Sequence, residues 1–205
     1  MKILALELSS SVGSIAWLDD AMAPSTTTFA NDRKHSGLFF DNLERCLARF
    51  GNPGLIVVGL GPGSYAGTRI AIATAIGLQT ASRARLIGLP SICAIESDAA
   101  IYAVVGDARR QSFFFAQVQN RACLADAVLC SESELSQKLA AFEGEVFTTE
   151  PLPAFPRAIV SRPTARILAE LARIAPEETA TRPLEPIYLR EPHITQSKVP
   201  FLFPK

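Results

Sequence analysis

The chain begins with an apolar run, Ile3 to Leu8, interrupted only by Glu7 and followed by the polar triplet Ser9-Ser10-Ser11. An apolar run bounded by turn residues predicts a strand, and Ser14 to Leu18 predicts a second strand returning beside it. Asp19-Asp20 marks the next turn, and the Thr-rich Ser25 to Ala30 fits a third strand. Leu38, Phe39, Leu43, Cys46, Leu47 and Phe50 then recur at helical spacing, and Gly51-Asn52-Pro53-Gly54 stops that helix. Leu55 to Leu60 is continuously apolar, as expected of a strand covered on both faces. The Gly-rich turn Gly59 to Ser64 opens a second helix running to Ser82. Arg85 to Leu89 is another buried strand, and Pro90 starts a short helix to Ala99.

The order βββαβαβα differs from strict βαβ alternation, because a three-stranded antiparallel meander comes first. It begins again at residue 101. Ile101 to Gly106 and Ser112 to Val118 flank the turn Asp107 to Arg110. Arg121 to Cys130 is expected as a third strand, Ser131 to Phe142 as a helix, Val146 to Thr149 as a strand and Ser161 to Ile174 as the last helix. A βββαβα pattern met twice predicts two α/β lobes, 1–100 and 101–205. From Pro151 onward lie ten of the fourteen prolines. The segment from Pro176 is therefore expected to wrap the surface as an extended tail, with one strand-like piece, Pro186 to Arg190, and mobile last residues.

Hydrophobic residues make up 48% of the 205 and charged residues 20%, which excludes a disordered chain. Twenty basic and twenty acidic side chains cancel, so the chain does not hold nucleic acid by charge alone. The longest membrane-like stretch, Ile70 to Leu78, is about half a span, and Glu7 and the serines interrupt the apolar start before it reaches signal-peptide length. Cys46, Cys93, Cys123 and Cys130 form no CxxC pair and are expected to be reduced, mostly buried thiols of a cytoplasmic protein.

Gly59 to Arg69, GLGPGSYAGTR, is the most informative segment. A strand, a Gly-rich turn and a helix N-terminus together present free N–H groups to an anion. They equally describe tight strand–helix packing with Ser64 as N-cap. A Walker A loop needs a Lys before its Ser/Thr, and Gly67 stands before Thr68. Gly61-x-Gly63-x-x-Ala66 matches GxGxxA, but Pro62 lies inside it and no acid stands near Leu86 to Leu89 for a ribose. The Ser9–Ser11 turn reads either as a solvated turn or as a phosphate-binding hairpin. The two histidines, His35 and His193, have no His or Cys at metal-ligand spacing. His35 fits a cap or surface role.

Five landmarks follow in order between residues 3 and 190: ILALELSSS, His35-Ser36 at a helix start, GLGPGSYAGTR, GDARRQSFFFA, and PIYLR. Together they resemble the TsaB (YeaZ) family, relatives of the actin-like ATPase superfamily once classed with M22-type metallopeptidases through their kinship with TsaD. The resemblance implies two actin-like (ASKHA, ribonuclease H-like) lobes with βββαβα cores. It also implies a non-catalytic scaffold that activates TsaD in placing threonylcarbamoyl on the adenosine beside the anticodon of tRNAs reading codons that start with A. The ATPase TsaE would join the same complex, and tRNA would be met only through it. In isolation the chain would be a homodimer. TsaD carries an HxxxH metal motif and this chain does not, so no catalytic residue, cofactor or metal ligand is expected. Position 7 is Glu where the family usually has Asp.

The second helix carries two unlike faces. Gly67, Ile70, Ala71, Gly77, Leu78 and Ala81 are expected against the sheet. Tyr65, Ile72 and Ile76 form a second stripe, flanked by Arg69 and Gln79. With Leu38 and Phe40 of the first helix, these are the expected partner-binding residues. The competing expectation is an autonomous actin-like-fold ATPase or phosphotransferase, using the Ser9–Ser11 hairpin and the Gly61–Gly63 turn with Glu7 or Asp107 as its acid.

Overall fold

The structure, a computed structural model, describes residues 1–31, 36–176, 179 and 184–190. The readings made for His35, His193 and the end of the tail lie outside the described residues.

Strands β1 (Lys2–Glu7), β2 (Val12–Asp19) and β3 (Met22–Ala30) form the expected meander. Helix α1 (Ser36–Phe50) leads to β4 (Leu55–Gly59), and α2 (Tyr65–Ser82) leads to β5 (Arg85–Leu89). The sheet order is β3-β2-β1-β4-β5, with β4 and β5 parallel to β1. Alternation along β1 divides its side chains between two cores. Leu4 and Leu6 face Phe39, Leu43, Ala71 and Ala75 of α1 and α2, while Ile3 and Ala5 face the opposite way. The continuous apolar run is thus a strand buried on both faces.

The second sheet repeats the plan. Strands β6 (Ile101–Asp107), β7 (Phe113–Gln119), β8 (Ala122–Cys123) and β9 (Val128–Cys130) precede α3 (Glu132–Ala141), β10 (Glu145–Thr148) and β11 (Ile159–Val160). The order β11-β10-β6-β7-β8, with β9 also on β7, matches the first sheet strand for strand. Ser131 begins α3 with a reciprocal cap: its hydroxyl accepts from Glu134 N–H, and the Glu134 carboxylate accepts from Ser131 N–H. The link from β10 to β11 is a helix-free loop, where the first lobe carries α2.

Four expectations are corrected. The helix after Pro90 is only a 3-10 turn, Ser91–Ala94, because the Tyr102 hydroxyl donates to the Ile92 carbonyl that a continuing helix would use, at 2.9 Å. Arg121 to Cys130 is two short strands, since the chain leaves β7 after Leu124 N–H donates to Gln117 O and returns at Val128. Strand β11 is short and exposed, with too little apolar pattern to be foreseen. Pro186 to Arg190 joins no sheet; Ile187 N–H donates to Leu60 O, just past β4, at 2.8 Å.

The last helix, α4 (Ala165–Ile174), lies against the first sheet. Ala165, Leu168, Ala169 and Ala172 pack on Ile3, Ala5, Ala16, Leu18, Leu55 and Val57. Its start is capped twice. Thr164 accepts from Ile167 N–H, and buried Ser14 of β2 accepts from Ala165 N–H at 2.8 Å.

Candidate functional site

The turn between β4 and α2 is locked to its surroundings. Gly61 has φ +88°, a region that favours glycine, and its N–H donates to Ser91 Oγ at 3.0 Å. Ser91 N–H returns a bond to Gly61 O at 2.8 Å. Ser64 caps α2 by accepting from Gly67 N–H, and its own N–H donates to Ser9 O at 2.6 Å. A methyl group on Gly63 would stand 2.1 Å from Ser9 O, and one on Gly67 the same distance from Leu8 O. Of the two readings of this segment, the geometry fulfils tight packing with Ser64 as N-cap. The Ser9–Ser11 hairpin is held from the far side by Asn31, whose amide donates to Leu8 O and Ser10 O at 2.8 and 2.7 Å.

Between the lobes runs a cleft of about 660 Å³. Its first-lobe wall is Ser9–Ser11 and the start of α2. Asp107 to Arg109 and Glu150 line the other side, and the tail from Pro186 to Arg190 crosses it. The tail is pinned at three points: Ile187 on Leu60, Tyr188 against Tyr65 with ring centres 5.2 Å apart, and Arg190 donating to the Ser112 hydroxyl. Ser9 Oγ is buried in this wall without a hydrogen-bond partner.

The two candidate acids are separated. Asp107 lines the cleft, where its carboxylate accepts from Arg109 N–H at 2.6 Å and pairs with the Arg109 guanidinium at 3.3 Å. Glu7 is fully buried outside the cleft lining, on the strand face opposite Leu6, pressed under Gly59. One of its oxygens accepts from Ser9 N–H at 2.6 Å and the other has no partner. Burial pushes its carboxyl above the ordinary value, against the smaller opposing pull of the Ser9 N–H from which it accepts. Among the described residues, no group of three or more His, Cys, Asp or Glu is placed to hold a metal ion. No described helix is long and apolar enough to cross a membrane.

On the outer face of the first lobe, Tyr65 and Ile76 of the stripe expected on α2 face outward, and Ile72 does not. Ile72 is only 6% exposed and packs in the core with Ala71 and Ala75. This corrects its assignment to a docking surface: Gly67 fixes the helix so closely to Leu8 that Ile72 turns inward. Gly77 and Ala81, expected against the sheet, are exposed. The true outward row is Tyr65, Arg69, Ala73, Ile76 and Thr80, with Gln79 at its margin. Tyr65 and Arg69 meet directly. Arg69 lies over the Tyr65 ring and donates to its hydroxyl at 2.7 Å, beside Tyr188 of the tail. On α1, Leu38 and Phe40 project to solvent, Phe40 with half its surface free, and Ile76 is similarly bare on α2. Ala73, Asn31, Ser14 and Ser91 were not singled out by sequence. Only Ala73 carried a signal, since it stands four positions after Arg69 and three before Ile76, on one helical row.

The fold defines the class: two α/β lobes with matching sheets around a cleft, the two-lobed actin-like architecture. Within that class the chain has the fold of YeaZ from Pseudomonas aeruginosa, with TM-score 0.72 and 21% identity over 92% of this chain and 99% of that one. A second Pseudomonas aeruginosa structure, described as an uncharacterized protein with similarity to peptidase YEAZ, gives TM-score 0.73 and 23% identity over the same shares. No family model and no curated protein sequence matches the chain.

Proposed function

We propose that this chain is a TsaB-type (YeaZ) protein: a non-catalytic, cytoplasmic partner that docks a TsaD-type threonylcarbamoyltransferase in tRNA modification. The observation that carries the reading is the set of bare apolar side chains on α1 and on α2. Leu38, Phe40 and Ile76 stand exposed on helices whose other sides already cover the sheet. Small residues Ala73, Gly77 and Ala81 beside Ile76 leave the surface shallow enough for another helix to approach. The same patch supports a two-fold homodimer in isolation, exchanged for the heterodimer when the transferase is present. TsaE and tRNA would then join through the transferase.

The test uses the chain with the TsaD-type and TsaE-type proteins of its own organism, tRNA, ATP and threonylcarbamoyl-adenylate. Activity that needs the wild-type chain, and falls at least about tenfold with Phe40→Glu/Ile76→Glu, is the expected result. An unchanged complex with that variant places the interface elsewhere.

A phosphate-handling cleft is the second reading, favoured by the unpartnered Ser9 hydroxyl in its wall. Against it, Glu7 is sealed off from the cleft and Asp107 is tied to Arg109. Purified protein is expected not to hydrolyse ATP or peptides, with or without zinc. Turnover that follows the protein through purification and vanishes on Asp107→Ala would favour this second reading instead.

A further inference from the structure

Cys93 lies in the 3-10 turn Ser91–Ala94 and Cys123 ends β8, thirty positions later, yet their sulfurs are 3.5 Å apart. The fold holds this approach from both sides. Asn120 and Arg121, with φ of +48° and +64°, make a two-residue turn between β7 and β8. The register set by that turn places Cys123 opposite fully buried Val118, within the same apolar cluster as Cys93. From the turn, the Arg121 guanidinium reaches back to the carbonyls of Cys93, Ile95 and Ser97. The 3-10 turn is itself fixed, with Cys93 N–H donating to Pro90 O and Tyr102 holding Ile92 O. Cys93 is buried, whereas Cys123 is only partly buried.

We propose that Cys93 and Cys123 are a reversible redox pair whose disulfide fastens the β7–β8 hairpin of the second lobe to the segment joining the lobes. A hydroperoxide reaches the outer sulfur first. The Cys123 thiolate attacks a peroxide oxygen, the O–O bond breaks, water leaves and a sulfenic acid remains. The Cys93 sulfur then displaces the hydroxyl, which departs as a second water with the Cys93 proton. Two thiols and one hydrogen peroxide thus give one disulfide and two waters, and an external dithiol reverses the bond by exchange. The electrostatics favour this order. A hydrogen bond from Cys93 holds the Cys123 thiol below its ordinary value, and the same contact together with burial pushes Cys93 up. The sulfurs have to close from 3.5 Å to a bond of about 2.05 Å.

The experiment treats the fully reduced chain with hydrogen peroxide and, separately, with oxidised glutathione. Thiols are then counted under denaturing conditions and peptides mapped without reduction. The expected result is loss of two of the four thiols. Intact mass should fall by about 2 Da, with one linked peptide joining Cys93 to Cys123. Dithiothreitol should reverse all of it. The oxidised protein should melt about 5–10 °C higher than the reduced one. Cys46→Ser/Cys130→Ala should behave like wild type. Cys93→Ala, if its circular dichroism matches wild type, should stop at a mixed disulfide of Cys123 with glutathione. Should Cys93→Ala fail to fold, the peptide map of the wild-type chain decides alone. Linkage to Cys46 or Cys130, a stable adduct on Cys123 with Cys93 free in the wild type, or four unreacted thiols would each overturn the proposal.

Discussion

At Gly63 and Gly67 a single methyl group is enough to force the first hairpin away from α2. Both would strike backbone carbonyls, of Ser9 and Leu8, and Ser9 O already accepts from Ser64 N–H. Backbone cannot rotate aside as a flexible side chain would. Gly63→Ala should therefore cost about 2–4 kcal/mol in urea unfolding. A variant as stable as wild type would show that hairpin and helix are not in contact. Glu7, beneath the same turn, makes a pH prediction. Its carboxyl titrates above the ordinary 4.5 in the folded chain and near 4.5 in the unfolded one. Between the two values the unfolded chain binds fewer protons. Stability is then fullest below the unfolded value, falls as pH rises through the folded one, and levels off above it. Glu7→Gln keeps an oxygen for Ser9 N–H and cannot ionise, so it should gain on wild type as pH rises from about 4 to about 8. A variant that loses ground over that range would mean that the ionised form is the stabilised one. The sequence alone could place Glu7 near a strand end as a candidate acid. It could not show which side of the strand met the cleft, because that depends on Gly59 and Ser91 from distant elements.

The elements with long apolar patterns were legible, and the misses came where tertiary partners overrode a local pattern. Helices α1, α2, α3 and α4 and most strands fall within a few residues of their expected ends, as period and punctuation require. The helix after Pro90 was cut short by a hydroxyl ten positions away, and the third strand of the second lobe was split by a loop at Leu124 to Ala127. On α2, Tyr65 and Ile76 face outward as expected, and the misses are Ile72, which is buried, and Gly77 and Ala81, which are exposed. A helix of small and apolar residues such as Ala71, Ala73, Ala75 and Gly77 carries little amphipathic contrast to set its rotation. Contact of Gly67 with Leu8 sets it instead. The correction is directly testable. Ile72→Glu buries a carboxylate in the core and should cost about 4 kcal/mol or more, whereas Ile76→Glu should stay within about 0.5 kcal/mol of wild type. Equal effects in a thermal or urea melt would contradict the observed phase. Only the Ile76 variant, paired with Phe40→Glu, can then report on docking without confusing it with unfolding.

Across the whole molecule, the repeated strand order shows in the sequence, but the placement of α4 on the first sheet does not. The order of β6, β7, β10 and β11 copies that of β1, β2, β4 and β5, so the first expectation of two like lobes holds at the level of sheet topology. The amphipathic pattern of α4 says only that one side is buried; nothing in it names the sheet. Small Ala165, Ala169 and Ala172 allow a close approach, and Ser14 supplies the hydroxyl that receives Ala165 N–H. The first sheet therefore depends on residues from the far end of the chain for cover on one face. A fragment of residues 1–100 would leave Ile3, Leu18, Leu55, Val57 and Ile87 open to water, along with the small Ala5 and Ala16 between them. Hydrophobic burial is proportional to area removed from water, and a sheet uncovered on one face forfeits half of it. That fragment should show no cooperative melt, should bind a hydrophobic dye and should aggregate, while residues 1–190 unfold in one transition. Leu168→Ala, at the centre of the α4 contact, should lower that single transition by about 3 kcal/mol rather than split it. A monomeric 1–100 fragment with a sharp melt of its own, or a biphasic melt of Leu168→Ala, would show that the first lobe is stable without α4.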